Sequence, residues 1–99
     1  MVEPKSVKGK FSKHNTMLYT ISTCIWCKRL KNKLNARDIE YSYIDIDLIP
    51  YKEKEALKIQ LRRHKARLAF PMMFVDDEFI PNAEIDQKIE DLIRDGVED

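Results

Sequence analysis

The 99-residue chain has no long hydrophobic run, only two cysteines and almost no net charge, and each shortage excludes a class of protein. No segment approaches the roughly 18 to 20 apolar residues that cross a bilayer, so no membrane partner is expected. The basic stretch from Met1 to His14 is not followed by the apolar segment and small-residue cleavage site of a secretory signal, and a cytoplasmic location is expected. Reducing compartments do not sustain structural disulfides, so a close cysteine pair there points to catalysis, redox exchange or metal binding. A second cysteine pair is missing, and His14 and His64 stand alone, which argues against a structural zinc site. The length suits one domain and is too short for two.

The small net charge conceals segregation. Residues 1–37 carry nine basic side chains and one acidic, and residues 38–51 carry four acidic and no basic. Residues 52–67 carry seven basic and two acidic, and residues 68–99 carry two basic and ten acidic. A hydrophobic share of 43% with 35% charged residues describes a folded domain covered by long polar side chains.

Residues 1–15 combine Pro4, Ser6, Gly9, Ser12 and four lysines with few apolar residues, and read as a mobile or loosely docked basic arm. The folded domain is expected over residues 16–99. Met17 to Ile21 is a short apolar run suited to a buried strand. From Trp26 to about Ala36, Leu30 and Leu34 recur among basic residues, the pattern of a helix with one buried stripe. Tyr41 to Asp47 alternates as a strand does, and Tyr51 to about Ala66 reads as a second helix frayed toward its end. Met72–Val75 and Glu78–Ile80, separated by Asp76-Asp77, read as a hairpin. Asn82 is a fitting cap for a last helix carrying Ile85, Ile89, Leu92 and Ile93, with Gly96 as its stop. The order β-α-β-α-β-β-α predicts an α/β fold, a mixed four-stranded sheet flanked by helices.

Cys24-Ile25-Trp26-Cys27 is the motif that carries chemistry. Residues three apart on a helix have Cα atoms roughly 5 to 6 Å apart, inside the range of about 4.4 to 6.8 Å that a disulfide accepts. Lying between a predicted strand and a predicted helix, the pair places Cys24 where unpaired helical N–H groups favour a thiolate. Lys28 and Lys31 are expected to act in the same direction. Cys24 is then the attacking thiol and Cys27, one turn inside the helix, the resolving thiol. Ile25 and Trp26 supply an apolar surface for a partner. Two inert buried cysteines, or an iron-sulfur cluster shared between two chains through Cys24, remain alternatives.

These residues resemble the glutaredoxin-like branch of the thioredoxin superfamily. The resemblance rests on Leu18-Tyr19-Thr20 leading into Cys24-Ile25-Trp26-Cys27-Lys28, on Ile39-Glu40-Tyr41 leading to Ile44-Asp45-Ile46-Asp47, and on Phe70-Pro71-Met72-Met73-Phe74-Val75-Asp76. It spans about residues 16–95 and implies a thioredoxin fold and thiol-disulfide exchange. It also implies that Pro71 is the family's cis-proline opposite the cysteines, leaving the Phe70 backbone free to pair with an incoming peptide. Glutathione-binding members generally have Pro-Tyr between the cysteines, a Lys shortly before them, Thr-Val before the proline and Gly-Gly followed by Asp after the last strand. Here those places hold Ile25-Trp26, Ile21, Ala69-Phe70 and Asn82-Ala83-Glu84, with Asp86 able to keep part of the acidic role.

The departures favour a redoxin served by a protein reductase, thioredoxin-reductase-like or ferredoxin-linked, over a glutathione-dependent enzyme. A disulfide-bearing target such as ribonucleotide reductase is the expected acceptor. A monomer without organic cofactor suffices, the Cys24-Cys27 pair being the redox group. The stretch Arg62-Arg63-His64-Lys65-Ala66-Arg67 reads first as a solvated helix end and second as a docking surface near the active-site rim. Apart from Phe11 the arm lacks aromatic stacking platforms, so no nucleic-acid partner is expected. On this placement of the charges the molecule is a dipole with its positive end at the cysteines.

Overall fold

A computed structural model of the chain describes residues 2–96. Five strands and three main helices alternate along it. They are β1 (Lys5–Val7), β2 (Thr16–Thr20), α1 (Ile25–Ala36), β3 (Tyr41–Asp45), α2 (Tyr51–Arg62), β4 (Met72–Val75), β5 (Glu78–Ile80) and α3 (Ile85–Gly96). The apolar β2 lies at the centre, parallel to β3 and antiparallel to β4, and the sheet order is β1-β3-β2-β4-β5. This is the mixed sheet of a thioredoxin fold, with one strand more than expected.

Strand alternation sends successive side chains to opposite faces and divides the core in two. Leu18, Met73 and Val75 meet Leu30 and Leu34 of α1 and Ile85, Ile89 and Leu92 of α3 on one face. Met17, Tyr19, Met72 and Phe74 meet Leu57 and Leu61 of α2 on the other. Phe74 lies edge-on to Tyr19, with ring centroids 5.6 Å apart. Pairs of this kind add to the burial itself. Among the described residues no helix is long and apolar enough to cross a membrane.

Residues 1–15, read as a mobile or loosely docked arm, contribute the extra strand. Lys5–Val7 pairs antiparallel with β3, and Phe11 bridges Ile39. Lys5 and Ser6 stay exposed, so the strand is held by its backbone and shows no hydrophobic alternation. A short edge strand bearing lysine also resists further pairing. Asn82 does not cap α3. It opens a 3-10 turn, Asn82–Glu84, in which the Glu84 N–H donates to the Pro81 carbonyl at 2.8 Å. The second helix ends at Arg62, four residues before the expected limit.

Candidate active site

Both parallel strands, β2 and β3, end on the same edge of the sheet, and the cysteine motif occupies the loop that leaves it. Two carboxylates brace that loop, Asp45 at the end of β3 and Asp47 in the 3-10 turn that follows it. Asp47 accepts the Ser22 backbone N–H at 2.8 Å and the Ser22 hydroxyl at 2.5 Å, and Asp45 accepts the hydroxyl of the fully buried Thr20 at 2.5 Å. Lys31 of α1 reaches Asp45 at 3.1 Å and lies 3.8 Å from the Tyr43 ring centroid. The sequence showed these acids only as the end of a strand; their position at the mouth of two parallel strands is the signal that marks them.

Cys24 is the N-cap of α1, with extended backbone and a carbonyl that accepts the Lys28 N–H at 3.1 Å. Its sulfur accepts the Cys27 backbone N–H at 3.3 Å and lies 3.9 Å from the Phe70 carbonyl oxygen. Burial raises the thiol's pKa, but hydrogen bonds from the Cys27 side chain and from the Cys27 and Trp26 backbones outweigh it, leaving Cys24 below the ordinary thiol value. The thiolate is thus favoured by unpaired donors of the first helical turn. Cys27 is 0% exposed, and burial, reinforced by its hydrogen bond to Cys24, pushes its pKa up to about 12. The Lys31 cation acts against that rise.

The two lysines expected to support the Cys24 thiolate are therefore placed differently. Lys31 acts on Cys27 and is paired with Asp45, while Lys28 is exposed and is not among the influences on Cys24. Ile25 and Trp26, between the two cysteines, are 57% and 62% exposed. The Phe70-Pro71 peptide is cis, with Pro71 buried. Both cysteines are free thiols. Among the described residues no three metal-ligating side chains cluster.

The Glutaredoxin family model matches residues 16–80. The chain belongs to the glutaredoxin family. It is similar to Glutaredoxin 1 of Rickettsia typhi, with 25% identity over 64 residues, 65% of this chain and 59% of that protein. The matched stretch thus spans under two thirds of that relative. Two solved structures are also similar. The glutaredoxin of Methanosarcina mazei Go1 has a TM-score of 0.76 and 26% identity over 92% of this chain and 88% of that one. The methanoredoxin of Methanosarcina acetivorans has a TM-score of 0.72 and 28% identity over 82% of this chain and 86% of that one. Thiol-disulfide exchange is the reaction of this glutaredoxin family, and the paired thiols at the head of α1 are arranged for it.

A groove missed in the sequence adjoins the cysteines. Trp26, Arg29 and Lys33 of α1 face Asn82 and Asp86, with Phe70-Pro71 at one end, around a cavity of about 510 Å³. Lys33 and Asp86 are joined across it at 2.9 Å. Asp86, which the resemblance left able to keep part of the acidic role, is thus already paired, and the turn before it, Asn82–Glu84, has no glycine. The basic stretch Arg62 to Arg67 takes no part in this groove. His64 packs 4.9 Å from the Phe74 ring, on the α2 face of the sheet.

Proposed function

We propose that this glutaredoxin is a dithiol redoxin that carries two electrons from a protein reductase to disulfides of target proteins. In the reducing half-reaction the Cys24 thiolate attacks one sulfur of the target disulfide. The Cys24-target bond forms, the target's own S–S bond breaks, and the departing thiolate takes a proton from water. Cys27 then loses its proton and attacks the Cys24 sulfur, forming the Cys24-Cys27 disulfide and releasing the second target thiol. The target gains two electrons and two protons, and the protein dithiol loses them. A thioredoxin-reductase-like or ferredoxin-linked reductase restores the dithiol by the reverse exchange. The pair itself is the redox group, and no organic cofactor takes part.

The observation that carries this reading is the asymmetry of the pair. Cys24 is reachable and lowered, whereas Cys27 is buried one turn below and raised to about 12. One thiol can meet a target while the other waits for the mixed disulfide. The protein donor is supported by Ile21, Ala69-Phe70 and Asn82-Ala83-Glu84 standing where glutathione-binding relatives have other residues. The engagement of Asp86 by Lys33 supports it further.

The test is insulin reduction with three alternative donors: dithiothreitol, glutathione with glutathione reductase, and a thioredoxin-reductase-type system. Turnover with the protein system at least tenfold above that with glutathione is expected, and equal turnover overturns the donor assignment. Cys24→Ser is expected to abolish reduction, and Cys27→Ser to accumulate a mixed disulfide with the target. Full activity in Cys27→Ser would replace the dithiol mechanism with a monothiol one. Anaerobically purified protein is expected to be colourless; iron bound through Cys24 would favour the cluster-binding alternative.

A further inference from the structure

The groove beside the cysteines has unequal charges. Lys33 is ion-paired with Asp86 at 2.9 Å, and Lys31, on the same helix, with Asp45 at 3.1 Å. Arg29 has no carboxylate within ion-pair distance among the described residues, and its guanidinium lies 4.7 Å from the Trp26 ring centroid. That is cation–π range, so the indole keeps the guanidinium beside the groove that both residues line. No acidic residue occupies the first turn of α1. The groove thus has an apolar lining that includes Leu30, Pro71 and Ile85, and one unpaired cation within one helical turn of Cys27.

We propose that Arg29 selects target polypeptides bearing an acidic side chain within two residues of the reactive cysteine, and receives that carboxylate in the groove between α1 and α3. This rests on the exchange reading above. An extended peptide whose cysteine meets Cys24 places the side chain two positions away on the same face, about 7 Å along. The Phe70 backbone has no backbone partner among the described residues and lies beside Cys24, so a strand can be aligned there. A free tripeptide thiol, with charges at both ends, needs two fixed counter-charges. The groove offers one unpaired cation, since the Lys33-Asp86 pair closes the other position. A single acidic flank in a polypeptide matches it.

The test uses three synthetic peptide disulfides that differ only in the residue two positions from the cysteine: Glu, Gln or Lys. Each is reduced in a single turnover by fully reduced protein at low salt, and oxidised glutathione is run in parallel. The Glu peptide is expected to react about fivefold faster than the Lys peptide, the size of one exposed ion pair. The ratio between peptides within each variant is the readout, which divides out any general change in thiol reactivity. Arg29→Lys is expected to keep the preference, Arg29→Gln to bring the ratio near one, and Arg29→Glu to reverse it. An unchanged ratio in Arg29→Glu overturns the proposal. So does a rate with oxidised glutathione above that of the Glu peptide, if Arg29→Gln removes the advantage, because the occupant is then a small anionic thiol. Failure to reduce any of the disulfides refutes the exchange chemistry itself, a result distinct from loss of preference.

Discussion

The division of labour between the two thiols comes from single contacts. Cys24 is the last residue before α1 and receives donors that the helix leaves unpaired, while Cys27 is inside the first turn and fully buried. In the reduced protein at pH 7, iodoacetamide is therefore expected to alkylate Cys24 and spare Cys27, with mass spectrometry of peptides as the check. Equal labelling would contradict the asymmetry on which the mechanism depends. Lys31 lies one helical turn beyond Cys27, where its cation lowers that thiol's pKa and Asp45 fixes its position. Lys31→Met should push the Cys27 pKa further above its present value. The mixed disulfide should then persist several-fold longer relative to its rate of formation, and Lys31→Arg should restore most of the ratio. Quenching samples through one turnover and weighing the trapped species measures this directly. Pro71 was marked by the resemblance to glutaredoxins, whereas the cysteine pair was legible in the sequence because its spacing is local. Lys31 and Asp45 were not, because their partnership joins residues from two elements.

At the scale of elements, the departures from expectation lie where backbone contacts act without a side-chain pattern. The helices and the central strands carry periodic apolar residues, so their order could be read directly, with boundaries displaced by a few residues. β1 has no such pattern, and the chain after it is held by a close backbone approach at Gly9, read as part of a loose arm. A Cβ on Gly9 would stand 2.6 Å from the Glu40 nitrogen and 2.7 Å from the Asp38 carbonyl oxygen, both backbone atoms that cannot rotate aside. Gly9→Ala is expected to lower stability by about 1 to 3 kcal/mol, as overpacking does, with denaturant unfolding as the measurement. A neutral effect would mean that the first residues do not dock in solution. The hairpin shows a second use of backbone. Asp76 and Asp77 both have positive φ, 50° and 68°, as a two-residue primed turn requires. Asp76 also accepts the Asn15 N–H at 2.9 Å and His14 Nδ1 lies 2.6 Å from it, and these bonds hold its carboxyl below the usual carboxylate range. A lowered folded-state pKa contributes stability above the unfolded value, lost as pH falls through the folded one. Asp76→Asn, which tolerates the same backbone, should therefore be less stable than the parent at pH 7. It should converge with the parent as the pH falls through the lowered folded-state pKa of Asp76. Thermal melts across that range test the sign.

At the scale of the whole molecule, the segregated charge becomes something other than the dipole that the sequence suggested. The basic face of α1 and the acidic face of α3 lie side by side. Lys33 meets Asp86 at 2.9 Å, and Arg37 meets Glu90 through two bonds of 2.6 and 3.0 Å. Both pairs step by four residues along both helices, so part of the opposite charge of the two blocks meets across this interface. The second basic block is displaced as well. α2 leaves the active-site edge and runs about 18 Å before Arg62 and Arg63. His64 then packs on Phe74, four residues and roughly 13 Å along the strand direction from Phe70. Sequence blocks show how much charge exists, but pairing depends on helix packing, which no block count contains. Among the described residues, the cations near the cysteines without a carboxylate partner are Lys28 and Arg29. Reduction of an acidic target should consequently slow by less than about tenfold between 0.02 and 0.3 M salt, the range expected of one or two exposed charges. Arg29→Gln should flatten that dependence, whereas a double Arg62→Gln and Arg63→Gln variant should keep the parent slope. Stopped-flow rates over a salt series decide between the placements: a slope flattened as strongly by the α2 variant would return the steering field to the second basic block.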